Sequence, residues 1–132
     1  MMRRKDWEQR LVAAVEATPA FAWGAHDCCR FAARVVEAIT GEDPARFHAG
    51  LGADAKEAQQ LVHAGGGLQA LVTAALGEPI EPARAWRGDV MLVDCIGHRQ
   101  TVGICMGARV ACQGADGVVY LPRHRAVAAW RV

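Results

Sequence analysis

The sequence predicts an α+β fold in which N-terminal helices pack on a C-terminal antiparallel sheet. Apolar residues recur at helical spacing only as far as Gly77, and a linker marked by Pro79 and Pro82 follows. From Val90 onward, short β-type runs are separated by glycine. Helices first and strands second are typical of an α+β domain. A chain of 132 residues has the length of one domain, so we treat residues 1–132 as a single unit.

Three predicted helices have start and stop signals but carry no recognisable chemistry. The first covers residues 6–17 and begins with a capping pair. Another begins at a second capping box, at Asp54, and ends at the glycine triplet of residues 65–67. A short helix follows directly and ends at Gly77. These segments supply apolar stripes that need a sheet to pack against.

The remaining helix, second in chain order, places cysteine in its first turn. Asp27 is its N-cap and Gly41 ends it. We expect Cys28 to face the core and Cys29 to lie off the apolar stripe by about 100° of helical rotation. The stripe consists of Cys28, Phe31, Ala32, Val35 and Ile39.

Five strands are predicted in the C-terminal half. The two-residue loop Gly107-Ala108 is typical of a hairpin that pairs Met106 with Arg109, so Ile104 should face Ala111. Alternation then puts apolar residues on both faces of this hairpin. Either the sheet is covered on both sides, or its second face awaits a partner protein. The strands are Val90–Asp94, Thr101–Met106, Arg109–Gln113, Val118–Leu121 and Ala126–Val132.

Composition excludes several classes of protein. Fifteen Lys and Arg against fourteen Asp and Glu leave a net charge of +1, which argues against a nucleic-acid binder. No stretch approaches the roughly 20 apolar residues of a membrane span. A charged segment stands where a signal peptide would have its apolar core, so we expect the mature chain to start where the sequence starts. Five cysteines without a C-x-x-C pair predict neither a disulfide framework nor a metal site, and no cofactor is expected.

Cys28 is the strongest candidate for chemistry. In the first turn of a helix, the dipole and the free backbone N–H groups favour the thiolate, which is the nucleophilic form of cysteine. A zinc site at His26, Asp27, Cys28 and Cys29 is the weaker alternative, because adjacent residues rarely converge on one tetrahedral ion.

With cysteine at the start of this helix, the chain resembles the NlpC-type papain-like cysteine peptidases that cleave cell walls. More closely, it resembles an NlpC-like family of unknown function encoded among the tail genes of phages and prophages. The resemblance implies a papain-like fold for the whole chain. The matching motifs are Phe21-x-Trp23-Gly24, Asp27-Cys28-Cys29, Thr40-Gly41-x-Asp43-Pro44, Gly66-Gly67, Gly88-Asp89-Val90, the Val102-Gly103-Ile104 run and Ala129-Trp130-Arg131-Val132.

The resemblance also implies where the catalytic residues would stand. Cys28 is the nucleophile position, and Thr101 occupies the position of the catalytic histidine. Threonine cannot act as a general base near neutral pH. His98 is a candidate substitute base, and Gln113 is a candidate orienting residue, although the predicted register puts it on the face opposite Thr101. His26 would reach the thiol only through a hooked loop.

Two functional hypotheses follow. In the first, the chain is a structural component of a phage or prophage tail tip, impaired in catalysis and bound to other tail proteins through exposed apolar side chains. The candidates for that contact are Val102, Ile104, Met106 and Trp130. In the second, it is a cysteine peptidase or amidase that cleaves peptidoglycan with Cys28 as the nucleophile. The first predicts host cytoplasm during synthesis and the virion tail after assembly.

Overall fold

A computed structural model describes residues 2–22, 25–44, 66–97 and 99–132. Within them, three helices and a five-stranded antiparallel sheet confirm the predicted α+β class. The helix predicted from Asp54 lies outside the described residues. The helices are α1 (Trp7–Glu16), α2 (Cys28–Thr40) and α3 (Leu68–Leu76), and the strands are β1 (Val90–Asp94), β2 (Gln100–Cys105), β3 (Arg109–Gly114), β4 (Gly117–Pro122) and β5 (Ala126–Trp130).

The two long helices differ in how they begin. Asp6 makes no side-chain cap on α1 and instead accepts a hydrogen bond from Arg10 Nε at 2.8 Å, so the predicted capping pair does not form. Asp27 caps α2 as predicted, because its carboxylate accepts from the backbone N–H of Arg30 at 3.0 Å. Gly41, with φ +82°, ends α2 in the left-handed conformation. The helix that carries the candidate nucleophile therefore has a fixed start.

The sheet has the order β4-β3-β2-β1-β5, with every neighbouring pair antiparallel. Ile104 faces Ala111, which confirms the register predicted from the Gly107-Ala108 loop. Gly103 faces Cys112, and a Cβ on Gly103 would lie 2.6 Å from both Cys112 Sγ and the carbonyl oxygen of Ala111. Glycine is required there for close packing rather than for its backbone freedom.

One face of the sheet, here called the inner face, packs against the helices. Helix α2 contacts β2 and β3, and α3 contacts β2 and β5. The large apolar side chains of this core are almost completely buried. Their burial stabilises the fold by about 25 cal/mol for each Å² of apolar surface removed from water. Its largest buried members are Trp130, Phe31, Leu11, Ile39, Leu92 and Ile104.

The opposite, outer face is also covered within the chain. A second apolar cluster lies there, formed mainly by Met91, Val93, Cys105, Val110 and Cys112. Arg123 ties down the covering segments: its guanidinium donates to the carbonyl oxygens of Gly107 at 3.0 Å and of Pro82 and Ala85 at 2.8 Å. Of the two arrangements that the sequence allowed, the structure therefore has the central strands β1, β2 and β3 covered on both sides.

This packing corrects the expected docking surface. Val102, Ile104 and Trp130 have no exposed surface, and Met106 is partly buried against the same inner core. The expectation that they form an exposed apolar face was wrong, because the face that alternation assigned to them is the one on which the helices pack. In the part of the chain that the structure describes, no helix is long and apolar enough to cross a membrane.

Candidate functional site

The candidate site lies where the start of α2 meets the start of β2. The β2–β1 ladder extends to Gln100, whereas the β2–β3 ladder begins only at Gly103. Thr101 and Val102 therefore have a strand partner on one side only. The first residue of α2, Cys28, occupies the other side, where Val102 contacts its sulfur through the backbone and Thr101 through its side chain.

Three polar groups act on the sulfur of Cys28, a partly exposed residue. In order of effect, the Cys29 thiol, the Val102 backbone N–H and the Thr101 hydroxyl donate hydrogen bonds that favour the thiolate. Burial and the nearby Asp27 carboxylate oppose them. The net result lowers the pKa of the Cys28 thiol from 9.0 to about 7. Cys28 is therefore a substantial fraction thiolate at neutral pH.

The other thiols with a shifted pKa move in the opposite direction. The pKa of Cys29 is raised, first because its S–H donates to Cys28 and then because it is buried. Burial raises the pKa of Cys95 and raises that of Cys112 to about 12. The sequence predicted that Cys29 would lie off the core stripe, but its side chain is buried and Cys28 is the more exposed of the two. That orientation leaves the thiol of lower pKa nearer to solvent.

Asp27 and Arg30 hold the start of α2 in place. The Asp27 side chain is almost fully buried and forms an ion pair with the Arg30 guanidinium, in addition to accepting the backbone N–H of Arg30. The carboxylate thus serves as the helix cap that the sequence predicted. Its negative charge near the sulfur is the cost of that role, since it raises the pKa of Cys28.

None of the three groups that donate to the Cys28 sulfur is a histidine. His98, the candidate substitute base, lies outside the described residues. His26 could act as a base only if its loop turned back on itself. Its backbone does pair with that of Ala22 in an isolated antiparallel bridge. Its Nδ1 atom is buried and has no hydrogen-bond partner in the described part of the chain. At the position where the resemblance expects the base, the residue present is Thr101.

Gln113, the candidate orienting residue, is engaged elsewhere. Its amide nitrogen donates to the carbonyl oxygens of Pro19 at 2.8 Å and Gly114 at 2.9 Å. Its Oε1 is buried without a hydrogen-bond partner among the described residues. The side chain anchors the loop that follows α1 to the end of β3, and neither of its hydrogen bonds reaches Thr101 or Cys28.

A second buried polar cluster, here called the Asp89 clasp, joins both ends of the described chain. Asp89 is 1 % exposed, and its Oδ1 accepts from Arg3 Nη2 and from the backbone N–H of Val132, both at 2.9 Å. Its Oδ2 accepts from the backbone N–H of Trp86 at 2.8 Å. Arg3 also donates to the carbonyl oxygens of Arg87 and Val132. In the sequence, Asp89 is recognisable only as part of the Gly88-Asp89-Val90 motif, which does not predict its role.

The described ranges contain no group of three or more His, Cys, Asp or Glu side chains able to hold a metal ion. The adjacent residues 26–29 weighed as a zinc site are thus not brought together as ligands in the structure. What the site offers chemically is a single activated thiol with hydrogen-bond donors around it.

Comparisons with known proteins identify a family and a solved structure of similar fold. Residues 2–132 match the model of a family described as a domain of unknown function, DUF6950. No sequence among curated proteins is similar enough to count as a match. Among solved structures, the chain is similar to the crystal structure of the NlpC/p60 domain of the peptidoglycan hydrolase SagA, with a TM-score of 0.55, 17 % identity and coverage of 96 % of each chain. At that identity the likeness shows an NlpC/p60-type, papain-like fold.

Proposed function

We propose that this chain, which belongs to the DUF6950 family, is a structural component of a phage or prophage tail tip that has an NlpC/p60-type fold and does not hydrolyse peptidoglycan. The observation that carries the proposal is the pairing of Cys28 with Thr101. The thiol is activated, but the side chain at the base position is a hydroxyl. A reactive thiol with a hydroxyl at the base position lacks there the group that normally completes amide hydrolysis.

The chemical reason lies in the leaving group. A thiolate can attack a peptide carbonyl, but the amine can depart only after it is protonated, and a positioned histidine normally supplies that proton. A threonine hydroxyl neither takes nor returns a proton near pH 7. General acid–base catalysis contributes about 10²- to 10⁴-fold to rate, so its loss would slow hydrolysis at this site by about that factor.

The tail role rests on the sequence motifs that resemble tail-associated NlpC-like proteins. In this proposal the partners are other tail proteins, bound through side chains that are exposed rather than through the buried inner core. Ile96 and Trp86 are 85 % and 69 % exposed and are suited to such a contact. The chain would be made in the host cytoplasm and reside in the virion tail after assembly.

A peptidoglycan cysteine peptidase remains the second candidate, and the lowered pKa of Cys28 favours it. The Val102 N–H beside the sulfur adds a donor of the kind that stabilises an oxyanion. In this alternative the base must come from a residue other than Thr101, and peptidoglycan is the substrate.

The two candidates separate in one experiment on a phage whose tail genes encode this chain. Purified virions are examined by mass spectrometry, and plaque formation is compared for wild type, Cys28→Ala and a deletion of the gene. We expect the chain in the virion, loss of plaques on deletion, and normal plaques with Cys28→Ala. Absence of the chain from virions would contradict the tail role. Loss of plaques with Cys28→Ala, together with cleavage of peptidoglycan by the wild-type chain, would establish the peptidase.

A further inference from the structure

The two edge strands of the sheet, β4 and β5, differ in how their outward backbone groups are protected. At the β5 edge, the outward backbone groups of Ala129 are occupied: Ile80 donates to the Ala129 carbonyl at 2.7 Å, and Ala129 donates to the Ile80 carbonyl at 3.1 Å. A bulge between Leu92 and Val93 also breaks the regularity of the β1–β5 pair. Such devices are how proteins protect sheet edges from pairing with other chains.

The β4 edge has neither device. Its register with β3 runs without interruption from Gly117 to Pro122. The two-residue turn makes Gly114 and Gly117 a hydrogen-bonded pair, so alternation directs the N–H and C=O groups of Val118 and Tyr120 away from β3. Among the hydrogen bonds of the described residues, none involves these outward groups. The strand contains no charged residue, although charge is the commonest protection of an edge.

We propose that β4 is a self-association edge, on which a second copy of this chain adds its own β4 in antiparallel register. The pairing that satisfies all four outward groups sets Val118 of one copy opposite Tyr120 of the other, twice by symmetry. It buries Val119, which is 43 % exposed, against its symmetry mate on the outer face. Tyr120, 42 % exposed, then packs beside a β-branched residue on the inner face, which is a favourable cross-strand pair.

Charge at the two ends of β4 favours this partner over an unrelated strand. The exposed Asp116 precedes the strand, and at the other end the exposed Arg109 of β3 faces Pro122 and holds its guanidinium 5.0 Å from the centre of the Tyr120 ring. Antiparallel self-pairing brings the acidic start of each copy to the basic end of the other, whereas a parallel arrangement would set like charges together. Because only two residues per copy donate and accept across the edge, with Pro122 ending it, the interface is small and the dimer dissociates readily.

The test compares Val119→Lys with Val127→Lys in sedimentation velocity over a wide range of protein concentration. Val127 lies on β5 and is 45 % exposed, so the two substitutions are matched in exposure and chemistry. We expect the wild type and Val127→Lys to form a dimer whose share rises with concentration. We expect Val119→Lys to lose it, because two ammonium groups would meet on the symmetry axis. A mixture of Val119→Lys and Val119→Glu should restore a heterodimer.

Amide hydrogen exchange gives a residue-level readout that does not depend on the variants folding alike. Dimer formation should slow exchange at Val118 and Tyr120 as wild-type concentration rises, while Val119, which donates to β3, stays protected throughout. A wild type that stays monomeric, or a dimer that Val119→Lys leaves intact, would overturn the proposal. Failure of this edge pairing leaves the tail role untouched, since that role is tested by the presence of the chain in virions.

Discussion

The Cys28 site and the Asp89 clasp are two buried polar clusters built from motifs of the same family resemblance, and they are satisfied in different ways. Three donors hold the Asp89 carboxylate, and two of them, the cationic Arg3 and the backbone N–H of Val132, come from the two ends of the described chain. The donors around Cys28 instead favour ionisation of one thiol. The first cluster stabilises the fold, whereas the second favours the reactive form of a thiol and has the Thr101 hydroxyl at the position expected for the base. A family motif therefore shows which residues occupy an important position, but it does not show whether they stabilise the fold or carry chemistry.

The largest effect is expected for Asp89→Ala. Removing the carboxylate leaves Arg3 without its ion-pair partner and two backbone N–H groups without acceptors. Breaking a buried pair by removing one partner costs about 3–5 kcal/mol. Urea denaturation measures the loss, with Asp6→Ala as the control, because the Asp6–Arg10 pair is exposed to solvent and should contribute little to stability. Equal losses for the two variants would show that the clasp does not stabilise the fold.

A smaller loss is expected for Gly103→Ala, which lies on β2 next to the site. Its new Cβ would meet Cys112 Sγ and a backbone oxygen at 2.6 Å, and the backbone oxygen cannot simply rotate away. Overpacking of this kind costs about 1–3 kcal/mol. The same denaturation experiment measures it. A variant as stable as the wild type would mean that β2 and β3 can separate locally without cost.

Thr101→Val should change the chemistry of Cys28 and leave the fold intact. The substitution removes one donor to the sulfur while keeping a β-branched shape, so the pKa of Cys28 should rise and its alkylation by iodoacetamide at pH 7 should slow. Mass spectrometry of the modified peptide follows the rate. Thr18→Val is the matched control, since the Thr18 hydroxyl donates to the Ala14 carbonyl and accepts from Arg34, and neither bond involves Cys28. An unchanged alkylation rate in Thr101→Val would show that the Thr101 hydroxyl does not affect the Cys28 thiol.

The smallest effect is the pH dependence of stability that Cys28 contributes. Its folded pKa of about 7 lies below the ordinary value of 9.0, so the unfolded chain binds more protons between these values. The stabilisation is fully present above pH 9 and is lost as the pH falls through 7. The free energy of unfolding of the wild type, minus that of Cys28→Ala, should therefore rise from pH 7 to pH 9. A flat or falling difference would contradict the direction of the pKa shift.

Much of the fold could be predicted because it follows from local rules. Helical spacing, glycine stops and the two-residue Gly107-Ala108 loop fixed the elements and the register of β2 with β3. Coverage of the outer face could not be predicted, since it depends on Arg123 reaching carbonyl groups up to 41 residues away in the chain. Which face of the sheet the helices cover could not be predicted either, so Val102 and Ile104, which lie on the inner face, could not be told apart from a docking surface.

The site was predictable in position and less so in detail. The position of Cys28 at a helix N-terminus indicated the thiol, and the family resemblance indicated Thr101. The donor from the Val102 backbone depends on how far the β2–β3 ladder extends, which periodicity does not encode. The roles of Asp89 and Gln113 likewise rest on contacts across most of the chain.

The central claim is that Cys28 is an activated thiol without a working proton carrier. The direct measurement is incubation of the purified chain with peptidoglycan stem-peptide fragments above pH 7, where Cys28 is ionised, followed by mass spectrometry of the products. Alkylation of Cys28 in a parallel sample verifies that the thiol is reactive. The account predicts rapid alkylation and no cleavage beyond that seen in buffer. Cleavage products that appear with the wild type and vanish with Cys28→Ala would contradict it.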